Sequence, residues 1–280
     1  MILITGSSGF IGTNIVRYFL NRKVKFYGVD LKKNRYLKFK NFSKLDLSNE
    51  KKVAKLFSKI KPKLVIHLAA ISGVNTCNEN INGAYKNNIQ ATFNILLNSS
   101  RFSCKKVLIA SSQAAENFYN NPSFYALTKK TNEDMSKSFK RNFKLNVSIL
   151  RFSNVYGPYS LHKSSAIHEM IKCLKKDKLF KIHGNGKQLR DFIFIDQLIK
   201  KVLKISKRRN LNNLYNIKTN KKNSINYIIK KLNSFSKKKL KIKKIKAPSG
   251  YDVSFFSRFK EKENSNLNLN LKRTFNWYNS

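Results

Sequence analysis

Along the first two thirds of the chain, short runs of apolar residues alternate with longer stretches in which apolar side chains recur every three or four positions. The short runs, Ile2 to Thr5, Lys25 to Val29, Leu64 to Leu68, Lys106 to Ala110 and Asn146 to Leu150, predict strands. Thr13 to Asn21, Glu50 to Lys59, Gly83 to Ser99 and Tyr125 to Asn142 carry the helical spacing. Strand and helix in regular alternation predict the α/β class, a doubly wound parallel sheet wrapped by helices. Past Gly157 and Pro158 the alternation loosens and the segments become more basic. The pattern therefore assigns residues 1–157 to a first lobe and 158–280 mainly to a smaller C-terminal lobe. The strand-like RDFIFID (Arg190 to Asp196) and NLYNI (Asn213 to Ile217) are expected to return to the first lobe. No internal repeat is visible.

Composition adds limits rather than a function. With 280 residues, 41% of them hydrophobic and 12% aromatic, the chain can bury a substantial core. No apolar run reaches the ~18 residues of a membrane span, and the opening MILIT reads as a buried strand rather than a targeting segment. Cys77, Cys104 and Cys173 are odd in number, far apart and without metal-ligand spacing; they read as reduced core thiols of a cytoplasmic protein. The formal charge of +44 attracts anions. Lysines nevertheless occur in nearly every segment. In KKKLKIKKIK (Lys237 to Lys246) they interleave with Leu240, Ile242 and Ile245 as the solvated face of a half-buried strand would. Heavy use of Lys, Asn and Ile is what AT-rich codons produce, so a nucleic-acid partner is the less favoured explanation of the charge, though left open by it.

Candidate chemistry begins at MILITGSSGFIGTNIVRYF, a strand, a glycine turn and a helix in succession. Gly6 suits the tight turn, Gly9 the approach of backbone to a pyrophosphate, and Gly12 the close packing of helix on strand, with helix N-terminal amides facing the anion. Asp30 ends the next strand, where a carboxylate can accept from ribose hydroxyls and repel a 2′-phosphate; this favours NAD over NADP, against the offset of Lys32, Lys33 and Arg35. In KLDLS, Asp46 and Leu47 either border an adenine or cap the next helix. Tyr125 and Lys129 share one helix face at i and i+4. That spacing alone occurs by chance in a chain with 58 Lys and Arg. His67, His162, His168 and His183 show no metal spacing, so no metal site is expected.

Taken in order, TGSSGFIG, Asp30, HLAA (His67 to Ala70), NNIQATFNIL (Asn87 to Leu97), IASS, YALTK, LRFSNVYGP (Leu150 to Pro158), GNGKQLRDFIFIDQ (Gly184 to Gln197) and YNI resemble the extended short-chain dehydrogenase/reductase family, in its NAD-dependent epimerase/dehydratase branch acting on nucleotide sugars. The resemblance implies a Rossmann-type cofactor lobe, NAD as cofactor, a nucleotide-sugar substrate and a homodimer. It implies a catalytic trio of Ser112, Tyr125 and Lys129. It also implies a cofactor-lining set in which Phe10, Ile11, Leu68, Ala69, Ala70 and Asn88 join the glycines, Asp30, Asp46, Leu47, Tyr125 and Lys129. Asn154 and Arg190 match positions that hold a nucleotide sugar's diphosphate, and Ser112 touches the sugar. By the same likeness Tyr125 acts as base, its pKa lowered by Lys129 and by the positive nicotinamide.

Departures narrow the reaction. Ser112 is followed by QAAENF rather than the family's usual VYG ending, and only 13 positions separate it from Tyr125, so the segment that touches the sugar is short. The acidic pair of a 4,6-dehydratase, the acidic residue of a decarboxylase and the cysteine of a GDP-fucose synthase are replaced by Gln113 and Ala114. What remains is oxidation and reduction at one carbon, with C4 favoured: an epimerase, ketoreductase or dehydrogenase. APSGYDVSFFS loosely matches the family's RPGDV segment without its arginine, leaving Lys246 as a point charge. Two alternatives stand beside this reading: a fold relative that binds RNA through its basic surface, and a reductase of a small carbonyl compound lacking a nucleotide.

Overall fold

The computed structural model describes residues 1–120, 122–246 and 266–280. In chain order the elements are β1 (Ile2–Thr5), α1 (Phe10–Asn21), β2 (Phe26–Asp30), β3 (Phe42–Lys44), α2 (Glu50–Ile60), β4 (Leu64–His67), α3 (Val74–Glu79) and α4 (Ile81–Ala84). A π turn (Tyr85–Gln90) leads into α5 (Ala91–Arg101), β5 (Lys106–Ser112), α6 (Gln113–Glu116), α7 (Phe124–Asn142) and β6 (Val147–Phe152). Then come β7 (Asn154–Tyr156), α8 (Ala166–Lys176), β8 (Phe180–His183), β9 (Leu189–Arg190), β10 (Phe192–Phe194) and α9 (Ile195–Ser206). The last are β11 (Leu214–Ile217), β12 (Asn223–Ser224), α10 (Ile225–Asn233), β13 (Ile242–Ile245) and α11 (Leu267–Asn279). Two units emerge, Met1–Phe152 with Ile199–Ile217, and Ser153–Leu198 with Lys218–Ser280.

The first unit carries a seven-stranded sheet in the order β11-β6-β5-β4-β1-β2-β3, parallel at every pairing. Strands covered on both faces need unbroken apolar runs, and Leu3, Ile4, Val65, Ile66, Val107, Leu108, Ile149 and Leu150 are all buried. The chain enters at β1, moves outward through β2 and β3, then crosses to β4 on the other side of β1. The carboxyl ends of β1 and β4 thus flank the reversal of strand order where such sheets bind ligands. Among the described residues no helix is long and apolar enough to cross a membrane.

Local chemistry explains the helices. Asn49 caps α2 by accepting from the Lys52 N–H at 3.0 Å, and Val53, Leu56 and Phe57 form its buried stripe. Ser123 caps α7 through the Ala126 N–H at 3.1 Å. The expected single helix from Gly83 to Ser99 is instead a composite, α4 and α5 joined by the π turn. A π turn inserts a residue into helical winding and recurs at functional positions; here Asn88 lies in it.

Within the second unit, β7 pairs with β10 in parallel, β9 with β12 antiparallel, and β8 with β13 in parallel. Of the two segments expected to return to the first lobe, NLYNI does so as β11 beside β6. Phe192–Phe194 stays in the second unit, because its partner is Asn154–Tyr156. The expected strand in KKKLKIKKIK is confined to Ile242–Ile245, and Ile242 is exposed; Leu240, ahead of the strand, is the buried member. All three cysteines are free, but Cys173 is only half-buried, so just Cys77 and Cys104 are core thiols. APSGYDVSFFS lies outside the described residues.

A methyl group on Gly12 would fall 2.0 Å from the Gly6 carbonyl oxygen and 2.8 Å from Ser7 Cα, both backbone atoms that no rotamer can move. Gly12→Ala is expected to cost about 1–3 kcal/mol through overpacking, outweighing the ~1 kcal/mol a helical alanine ordinarily gains over glycine. Urea unfolding reads this as a lowered midpoint. An unchanged midpoint would contradict the packing of the turn.

Candidate active site

The glycine turn sits at the end of β1 against the exit of β4. Gly6 has φ +67°, a conformation L side chains rarely adopt, and an added Cβ would meet the Ala69 nitrogen at 2.7 Å and the Leu68 carbonyl carbon at 2.8 Å. Gly9 is the N-cap of α1, and neither a side-chain cap nor an acidic first-turn residue occupies that helix end, which suits it to an anion. Phe10 is buried in the core and Ile11 is half-buried, both in the first turn of α1. Asp30 accepts the Ser8 N–H at 2.9 Å and the Lys32 N–H at 3.3 Å, which fixes the carboxylate while each oxygen keeps a second lone pair. Asp46 is exposed and turned into a local bond with the Ser48 N–H at 2.9 Å, whereas Leu47 is buried and its carbonyl accepts from Asn94 at 2.9 Å. The helix cap that Asp46 could have formed is made by Asn49 instead.

Tyr125 and Lys129 lie on α7, and the Ser112 hydroxyl, at the end of β5, stands beside the Tyr125 phenol and favours its ionised form. The same Ser112 oxygen caps α6 by accepting from the Ala114 N–H at 3.2 Å. Lys129 donates to the Ala110 carbonyl at 3.1 Å, and its ammonium lies 5.9 Å from the centre of the Tyr125 ring. Burial pushes Lys129 down to about 8, against the pull of Cys77 and Glu133. The expected lowering of Tyr125 rests on Lys129 together with an oxidised nicotinamide; for the protein alone, burial of the phenol dominates and raises it to about 12, opposed by Ser112.

Behind this trio runs a connected polar interior. Asn88 is completely buried and clasps the Ile71 backbone twice, accepting from its N–H at 2.7 Å and donating to its carbonyl at 3.0 Å. Its amide also reaches the Thr128 hydroxyl at 3.2 Å, and its own carbonyl accepts from Asn132 at 2.9 Å and Thr92 at 2.6 Å. Because Thr92 spends its proton on Asn88, His67 Nε2 must carry the hydrogen of the 3.0 Å bond to Thr92, and Nδ1 accepts from Thr5 at 2.7 Å. Burial, then Lys129, lowers His67 to about 3, so it stays neutral.

Asn154 and Arg190 belong to the second unit and meet through Asp191. The Asp191 carbonyl accepts from both the backbone N–H (3.0 Å) and the side-chain amide (3.1 Å) of Asn154. Arg190 bonds to the Leu189 carbonyl at 2.9 Å and pairs in register with Asn223. The Asp191 carboxylate is itself committed to Thr219, accepting from its N–H at 3.0 Å.

A profile described as the NAD dependent epimerase/dehydratase family matches residues 2–217. The chain belongs to this family. It is therefore an NAD-dependent enzyme of the epimerase/dehydratase kind. A UDP-glucuronate 4-epimerase of Thermodesulfobacterium geofontis is 31% identical over 221 residues, spanning 70% of this chain and 68% of that protein. Two solved UDP-glucose 4-epimerases share the fold. The Thermotoga maritima enzyme, solved with UDP-glucose, has TM-score 0.88 at 24% identity over 99% of this chain and 98% of that one. The Thermus thermophilus enzyme, solved with NAD, has TM-score 0.90 at 20% identity over the same shares.

Several residues of this epimerase/dehydratase enzyme lay outside the sequence reading. Asn34 donates to the Ser7 carbonyl at 3.1 Å and to Thr13 at 2.8 Å, and accepts from the Tyr36 and Leu37 N–H groups, tying the segment after Asp30 to the glycine turn. Glu133 was also missed. It is fully buried, accepts from Ser111 at 2.7 Å and receives a two-pronged bond from Arg151 at 2.8 and 2.6 Å. Its position four residues beyond Lys129, on the face already marked by Tyr125, was the available signal.

The lowered Lys129 gives a pH test. Its folded value of about 8 lies below the ordinary 10.5, so the charged form is disfavoured in the folded state. That cost, roughly 3 kcal/mol, is fully present below pH 8 and fades as pH rises towards 10.5. Lys129→Met also loses the bond to Ala110, which shifts the difference from wild type equally at every pH. Urea unfolding from pH 7 to 10 is therefore expected to show the variant's relative stability falling as pH rises, and a pH-independent difference would contradict the burial of the ammonium.

Proposed function

We propose that this enzyme moves hydride at C4 of a nucleotide sugar, favouring 4-epimerisation, in which the C4 alcohol is oxidised to a ketone and the same hydride is returned, over net oxidation of the alcohol or reduction of a 4-keto sugar. The observation that carries this is the convergence of Ser112, Tyr125 and the buried Lys129 where the end of β5 meets the first turns of α7. The glycine cradle and the fixed Asp30 carboxylate fit a dinucleotide with an unmodified ribose. When bound, NAD accepts and returns hydride and brings a positive charge in its oxidised form.

The residues divide the remaining work. Tyr125 exchanges the proton of the sugar hydroxyl, and Ser112 holds the same oxygen as it becomes a carbonyl. At rest the phenol keeps its proton, so proton transfer depends on positive charge gathered beside it. Lys129 supplies the nearest such charge, since half of it or more is protonated up to about pH 8. Gln113, which follows Ser112, is buried, and neither it nor Ala114 offers an acid or base for elimination across the ring. That argues against a dehydratase. Asn154 and Arg190 are proposed to hold the diphosphate, a guanidinium being suited to phosphate oxygens.

Two measurements test the reading. Tyr125→Phe removes one oxygen and keeps the ring. Folding and NAD affinity are expected to persist while kcat falls by roughly 10²-fold or more, with Ser112→Ala costing less; near-normal turnover in Tyr125→Phe would sink the mechanism. Arg190→Ala is expected to raise KM for a UDP-sugar by roughly tenfold or more with a smaller effect on kcat. An unchanged KM would point instead to a small carbonyl substrate without a diphosphate.

A further inference from the structure

We propose that Glu133 and Arg151 are positioning residues for this reaction: their buried ion pair, extended to Ser111 and Glu116, holds the turn that begins at Ser112 and the helix that carries Tyr125 in one register. The inference rests on the reading of Ser112, Tyr125 and Lys129 as the reacting trio. It adds the device that keeps them together.

The geometry is specific. Glu133 Oε1 accepts from Ser111 at 2.7 Å and from Arg151 Nε at 2.8 Å, while Oε2 accepts from Arg151 Nη2 at 2.6 Å. Arg151 stands opposite Ser111 in the register of β5 and β6. Its Nη1 lies 3.7 Å from Glu116 Oε1, at the end of α6. Side-chain exposure falls from 30% at Glu116 through 15% at Arg151 to 0% at Glu133, so the chain of charges runs inward from the surface. Consecutive serines therefore reach α7 two helical turns apart, Ser112 at Tyr125 and Ser111 at Glu133. Lys129 already ties α7 to the Ala110 carbonyl of β5; the Glu133 bond to Ser111, one turn further along the helix, adds a second anchor that sets the angle between them, and Glu116 adds the far end of α6.

Burying a carboxylate is costly, and an ion pair in the interior rarely adds stability over apolar residues of similar size. A well-packed leucine and methionine could fill the same space. The pair therefore does little for the fold that simpler residues could not do, whereas a fork-shaped pair can fix direction. Lys129 gains as well, since Glu133 lies one turn beyond it and favours its charged form. Facing that ammonium are Tyr125 and Glu133 from α7, Cys77 from α3 and His67 from β4.

The test uses Glu116→Gln, Arg151→Lys and the paired variant Glu133→Leu with Arg151→Met, the last keeping the interior filled if single substitutions fail to fold. Three quantities are measured: amide hydrogen exchange over residues 112–128 by mass spectrometry, NAD affinity, and kcat and KM for a UDP-sugar turned over by the wild type. Exchange is expected to rise about tenfold across this segment. For the paired variant, kcat is expected to fall by roughly 10²-fold, with KM and NAD affinity within about twofold and thermal stability retained; Arg151→Lys, which keeps the charge but not the fork, should fall between it and the wild type. Unchanged exchange overturns the clamp, and a paired variant with full kcat overturns its role in positioning. If the wild type turns over no nucleotide sugar, the proposed function fails by itself. The exchange measurement then decides the clamp alone, a rise upholding it and no rise overturning it.

Discussion

The buried face of α7 is polar where a helix packed on a sheet would ordinarily be apolar, and the first unit is arranged to satisfy it. Thr128, Lys129, Asn132, Glu133 and Ser136 are all buried on that helix. Each needs a partner, because an unmet polar group in the interior costs about 1–3 kcal/mol. Thr128 returns to the Tyr125 carbonyl, Lys129 takes the Ala110 carbonyl, the Asn132 amide N–H the Asn88 carbonyl and Ser136 the Asn132 backbone carbonyl, while the Asn132 side-chain oxygen meets no partner among the described residues. Glu133 takes Ser111 and Arg151. The strand ends and the π turn are thus held where the helix's polar groups require them, and the site inherits its geometry from that requirement.

A similar economy operates two strands away in the sheet, at β1. The reversal of strand order beside β1 leaves a crevice, and the glycines keep it open to backbone. Thr5 serves both regions. Its carbonyl accepts from the Leu68 N–H at 3.2 Å, and its hydroxyl begins the line through His67 and Thr92 to Asn88. The glycine turn and the support of Ser112, Tyr125 and Lys129 are therefore two ends of one hydrogen-bonded interior. A neutral His67 suits that place, since a charged ring there would face Lys129.

What could be read from sequence were features that repeat. Strands at Ile2, Leu64 and Lys106 announce themselves through unbroken apolar runs, and the Gly6, Gly9 and Gly12 spacing through its position between strand and helix. Asp30, Ser112, Tyr125 and Lys129 were singled out by the order of the motifs that contain them, and the fold brings Ser112, Tyr125 and Lys129 together at the end of β5 and the start of α7. What escaped depends on contacts distant in sequence. Asn34 joins two loops, Arg151 meets Glu133 across a helix and a strand, and nothing in the local pattern around either marks the partner. The phenol's rise in the protein alone was not legible for a related reason. Spacing reveals a neighbouring lysine, but desolvation is set by everything packed around the ring. The exchange of Phe192–Phe194 into the second unit likewise follows from pairing with β7, which a run of apolar residues does not specify.

The π turn at Tyr85–Gln90 has an evolutionary corollary. An α-helix advances about 100° per residue, so a turn with one residue to spare shifts everything after it around the axis relative to everything before. Removing a single residue there would leave a sound, ordinary helix, yet it would swing either Asn88 away from Ile71 or the α5 stripe of Ile95 and Leu96 out of the core. Length in this stretch is therefore more tightly constrained by the packing than side-chain identity at its exposed positions. Lineages descending from this chain should tolerate changes of side chain at exposed positions such as Tyr85 and Lys86 while almost never accumulating insertions or deletions between them and Ala91.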